Sequence, residues 1–136
     1  MLLVQTVAPA QPESDHVALT DAAKCGGAYV VLASTVEKLG DAEGSDALRV
    51  KYYTWLVYGD NVIKTDPRKY VGAMIESGLK DAKHANQLKG NEKNQYWNRL
   101  LDECNEVETA LGDSFSDGRA RAEQTVKEQR QAKAGK

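Results

Sequence analysis

Residues 20–40, TDAAKCGGAYVVLASTVEKLG, decide the fold class. Within them Ala22, Cys25, Tyr29, Leu32, Val36 and Leu39 recur at steps of 3, 4, 3, 4 and 3, the seam of a helix packed in a bundle. Thr20 suits an N-cap and Gly40 a C-terminal stop, so the pattern predicts a first helix over about 20–39.

Working outward, the same periodicity returns three times. A second helix is expected from Ser45, with Asp46 in its first turn and Leu48, Tyr52, Trp55, Leu56, Gly59, Val62 and Ile63 on its inner face. Asp66-Pro67 announces a third, because proline loses nothing at the first helical position. Its inner face reads Val71, Met74, Ile75, Gly78, Ala82 and Ala85. The fourth runs from Asn91 to Gly112 on Trp97, Leu100, Leu101, Cys104, Val107 and Leu111. No Asn-Gly or Asp-Gly pair lies between alternating apolar runs, as a hairpin would require. The expected architecture is all-α: a four-helix bundle over 20–112 and a polar, basic tail over 113–136. Residues 113–118 form a break; the composition of 119–136 permits a helix, but only Val126 there is strongly apolar.

A chain of 136 residues has room for one domain of ordinary size. Forty-one per cent hydrophobic and 28 per cent charged residues exclude wholesale disorder. No apolar run reaches the length of a membrane span. A net charge of −2 excludes a broadly basic nucleic-acid coat, and the last 18 residues, 119–136, which carry six basic and two acidic side chains, lack aromatics for base stacking.

The start of the chain, MLLVQTVAPAQP over residues 1–12, reads as the remnant of a leader. Ala8-Pro9-Ala10 has the small-x-small shape of a signal-peptidase site, behind an incomplete apolar segment. Export to a periplasm-like or extracellular compartment is therefore expected. An ordinary frayed start would place the protein in the cytoplasm instead.

Cysteine spacing bears on the same question. Cys25 and Cys104 are the only two, without the CxxC of zinc or redox motifs. Both fall on core seams, of the first and last predicted helices, and such helices are neighbours in most up-down bundles. A Cys25–Cys104 disulfide is the preferred reading, with two buried free thiols as the alternative.

Chemistry is sparse. The histidines are His16, close to the leader, and His84, three residues after Asp81 on one helical face. No nucleophile is assignable to either, and the chain contains no Glu-x-x-His for a carboxylate-bridged metal pair. Asp102, Glu103, Glu106 and Glu108 fall off the fourth helix's apolar stripe and read as a solvated face. No catalytic residue, metal or cofactor is predicted. Gly26, Gly27, Gly59, Gly72 and Gly78 lie inside predicted helices, where close helix–helix approach is preferred over a ligand groove, and Gly26 and Gly27 directly follow Cys25, where a disulfide would draw two helices close. Tyr53, Val57 and Tyr58 sit outside the second helix's inner stripe, so they are either a contact surface for a protein partner or residues packed against the tail or the 40–45 loop.

The run Lys24-Cys25-Gly26-Gly27-Ala28-Tyr29, with Trp97 and Cys104 in the last predicted helix, resembles small exported bacterial helical proteins of uncharacterised function. The likeness spans residues 20–111 and implies export and a disulfide; it transfers no catalytic residue. The expected function is accordingly non-catalytic: an exported helical protein that binds a protein partner, as inhibitors and secretion-effector immunity proteins do, an analogy of size and architecture. The alternatives are a small-ligand carrier or enzyme with a pocket between helices, and an oligomerisation module that forms homodimers.

Overall fold

A computed structural model of the chain describes residues 10–62 and 67–135, with side chains placed over 18–62 and 70–135. The rest of the expected leader, Ile63, the Asp66 cap and the His16 side chain lie outside that range. Among the described residues there are five long helices, one single-turn helix and no strand. They are α1 (Ala10–Lys38), α2 (Ala42–Val62), α3 (Pro67–Asn86), α4 (Asn91–Leu111), α5 (Asp113–Ser116) and α6 (Arg119–Ala134). The protein is thus all-α, and α1 is its central helix, flanked chiefly by α2 and α3 and also touched by α4.

Helix ends differ from expectation for local reasons. Thr20 lies inside α1, which begins ten residues earlier at Ala10; Pro12 falls in the first turn, where a missing N–H is tolerated. At the other end Gly40 takes φ 90°. There the Gly40 N–H bonds the Glu37 carbonyl at 3.0 Å and the Asp41 N–H bonds the Val36 carbonyl at 3.1 Å, the paired bonds of a Schellman stop. Leu39, expected in the core, is 80 % exposed because it caps this helix end beyond the last packed turn. The cap of α2 is Asp41, whose Oδ1 accepts the Gly44 N–H at 2.8 Å. Ser45, the expected start, is buried one turn inside and donates from Oγ to the Ala33 carbonyl at 2.9 Å, tying α2 to α1.

The glycines explain how α3 reaches α1. A Cβ on Gly27 would collide with the Met74 carbonyl and lie 2.9 Å from the Gly78 nitrogen. A Cβ on Gly78 would collide with the Gly27 carbonyl and lie 2.6 Å from Val31 Cγ2. The two backbones meet at this point, where only glycine fits. The close approach is between α1 and α3, not beside the disulfide. It centres the buried face of α3 on Tyr70, Met74, Gly78 and Ala85 and turns Ile75, a predicted core residue, outward.

Cys25 and Cys104 form a disulfide with Cα atoms 5.6 Å apart. It joins α1 to α4, which is the last helix of the predicted four but not of the molecule. Both cysteines are fully buried, with Trp55, Tyr70 and Met74 in the same core.

Past α4 the chain does not trail into solvent. Phe115 of α5 enters the core, its ring 4.7 Å from that of Trp55. Helix α6 then lies along α2 and buries Ala122 and Val126. The tail has a narrow face to bury after all: small alanine lets it approach, and polar contacts supply the remainder.

Candidate functional site

The residues expected to meet a partner are met by the chain's own C-terminal part. Tyr58 is buried, with its ring 5.4 Å from Trp55 and 6.3 Å from Phe115. Burial, and secondarily the Asp21 carboxylate, push its phenol up. Val57 is half-buried beside Gly118, where a Cβ would come within 2.8 Å of Val57 Cγ1. The Tyr53 hydroxyl accepts a hydrogen bond from Gln129 Nε2 of α6 at 2.7 Å. Gln129 in turn accepts from Arg49 of α2. Tyr53, Val57 and Tyr58 therefore lie along the seam that α2 makes with the segment from Phe115 to Gln129.

An ion cluster locks that seam. Arg130 of α6 donates two parallel bonds to Glu37 of α1, Nη1 to Oε2 at 2.9 Å and Nη2 to Oε1 at 2.7 Å. It also donates from Nη2 to Asp46 Oδ1 of α2 at 2.7 Å. The guanidinium, reinforced by Ser45, holds the Glu37 carboxyl down at about 2. The same two carboxylates hold Arg130 well above the usual guanidinium range.

The strongest polar constellation centres on a residue expected in solvent. Glu108 is buried, only 6 % exposed, and not on a solvated face. Its Oε2 accepts from Tyr29 of α1 at 2.7 Å and from the Trp55 indole of α2 at 3.0 Å. Its Oε1 pairs with Lys51 of α2 at 2.5 Å. Lys51 also reaches Asn105 Oδ1 at 3.4 Å and stands 5.9 Å over the Tyr29 ring. Burial first, then Glu108, raise the Tyr29 phenol far above its ordinary value. The carboxylate's partners come from α1 and α2, so it ties three helices together.

Lys51 and Glu108 form one wall of an open cleft of about 690 Å³ between α2, α4 and the start of α6. Val50, Thr54 and Phe115 line its apolar part, and Asn105, Thr109 and Arg119 its polar rim. The Thr54 and Thr109 hydroxyls donate to carbonyls one turn back, at 2.7 and 2.8 Å.

His84 is exposed, 4.9 Å from the Tyr96 ring. Asp81 serves Tyr96 rather than the histidine: it accepts the Tyr96 hydroxyl at 2.5 Å, and that phenol is pushed up to about 12, by burial first. Among the described residues no group of three or more His, Cys, Asp or Glu is placed to hold a metal ion. Nor is any described helix long and apolar enough to cross a membrane.

Large apolar side chains do reach solvent on α3. Ile75 is 44 % and Leu79 59 % exposed, one turn apart, with exposed Gly72 beside them. Glu76 and Lys80 run parallel to them, paired at 3.6 Å and both largely exposed.

Compared with protein-family models, with curated proteins and with solved structures, the chain matches none.

Proposed function

We propose that the chain is a non-catalytic, exported protein that works by binding another protein, in the manner of an inhibitor or immunity protein. The Ile75–Leu79 strip carries this reading. Tyr53, Val57 and Tyr58 are met by the chain's own C-terminal segment, whereas Ile75 and Leu79, two adjacent large apolar residues on α3, remain 44 % and 59 % exposed among the described residues. Adjacent exposed apolar side chains with a polar rim are a feature of contact surfaces. The disulfide supports the oxidising compartment, since such bonds persist outside the cytosol.

A photo-crosslinking amino acid at position 79, introduced in the cell of origin, tests the reading. A discrete protein adduct that disappears with Ile75→Asp is the expected result. Adducts formed equally with and without that substitution would remove the strip from any role in binding.

The cleft beside Lys51 and Glu108 favours a second reading, a small-ligand carrier. Native mass spectrometry of the protein taken from its own compartment decides this. A bound small molecule lost on Thr109→Trp, which would fill the polar rim, supports the carrier; the bare protein mass opposes it.

A further inference from the structure

We infer that the cleft between α2, α4 and the start of α6 takes a small monocarboxylic acid with an apolar body, its carboxylate held at Lys51 and Asn105. This rests on the carrier reading above and names the chemistry of the ligand. The Lys51–Glu108 pair in the cleft wall presents its two charges unequally. The glutamate side chain is 5 % exposed and the lysine side chain 36 %. Both carboxylate oxygens are also engaged, Oε2 by Tyr29 and Trp55 and Oε1 by Lys51. The charge that this wall offers the cleft is therefore positive.

Two donors there have capacity to spare. Of the three ammonium hydrogens of Lys51, Glu108 takes one and Asn105 Oδ1, at 3.4 Å, a second. The centre of the Tyr29 ring, 5.9 Å away, is too far to accept the third as a hydrogen bond. Because Asn105 turns its oxygen to the ammonium, the two hydrogens on its Nδ2 are left over, and no acceptor meets them among the described residues. Val50 and Phe115 supply apolar lining beside these donors, and the Thr54 and Thr109 hydroxyl protons are already spent on backbone carbonyls. An ammonium and an amide side by side suit the two oxygens of a carboxylate, and the apolar lining suits the hydrocarbon attached to it. The remaining charges limit the ligand to a single negative group. Arg119 is paired with Glu123 at 3.7 Å, and Asp113 stands on the same rim. With two cations and three carboxylates in the described lining, a polyanion such as a nucleotide is opposed rather than attracted.

Octanoate and 3-phenylpropanoate, an alkyl and an aryl acid, are the probes, with octanol and 3-phenylpropanol as their uncharged counterparts. In calorimetric titrations of the full oxidised chain, at least one acid should bind about tenfold or more tightly than its alcohol. The same acid should shift the Asn105 side-chain amide signals in nitrogen-15 NMR spectra. Asn105→Asp exchanges the amide donors for a carboxylate beside Lys51, and should weaken acid binding by about tenfold or more. Asn105 is exposed, so the alcohol's affinity and the urea midpoint of that variant should stay as in the wild type. A merely structural effect would move both.

Acids that fail to bind, or bind no more tightly than their alcohols, would overturn the carboxylate site. So would an acid that leaves the Asn105 amide unmoved or is indifferent to Asn105→Asp. If the protein from its own compartment nonetheless carries a small molecule lost on Thr109→Trp, the carrier reading stands with a ligand of another class. A bare protein mass together with failed acid binding would remove both.

Discussion

Glu108 carries a carboxylate into the interior because three donors from α1 and α2 converge on it there. A charge so placed is stabilised by its partners, and removing it strands Lys51, Tyr29 and Trp55 together. Glu108→Ala should therefore destabilise the fold by about 3–5 kcal/mol, read from the urea midpoint at constant slope. The position was partly legible: Leu100, Cys104 and Glu108 stand four residues apart on one line. What hid it is that a carboxylate on a core line becomes reasonable only once its donors are known, and they sit on other helices, up to 79 residues away. Ile75 fails in the opposite sense. Its spacing matches the core pattern, but the backbone contact at Gly27 and Gly78 sets which face of α3 turns inward, and that contact involves two helices at once. Close approach could be read from the glycines in each helix; which helix each glycine faced could not.

At the scale of the element, α6 is the least legible part of the chain. Its buried residues, Ala122 and Val126, make too thin a stripe to announce a packed helix. Its other holds are polar and distant, Arg130 on Glu37 and Asp46, Gln129 on Tyr53. Periodicity detects apolar faces, and a helix docked largely by charge has little of one. The acid behaviour of this seam follows from Glu37. Its folded-state value of about 2 lies below the ordinary carboxylate range, so its contribution to stability is complete above that range and fades as pH falls toward 2. Arg130→Ala removes the cause of the depression. The stability difference between the wild type and Arg130→Ala, from urea titrations at successive pH values, should be constant above pH 5 and mostly gone by pH 2.

Across the whole molecule the four predicted helices, their seams apart from Leu39 and Ile75, and the inward placing of both cysteines follow from periodicity, because each helix buries a stripe whose spacing is local. What periodicity could not supply is that α1 lies at the centre and that a further helix covers α2. The disulfide ties the central helix to α4 across 79 residues of chain. Closing a loop of that length should stabilise by about 4 kcal/mol in the chain-entropy account. Denaturant titration with and without reductant checks this, and the bond should resist reduction of the native protein because both cysteines are fully buried.

The same bond divides the chain into what it encircles and what it does not. The covalent ring from Cys25 to Cys104 takes in all of α2 and α3 with parts of α1 and α4, while α5 and α6 lie beyond it. No covalent link holds α6 to the rest except the chain that leads into it, so its docking is free to be undone without breaking the circle beneath.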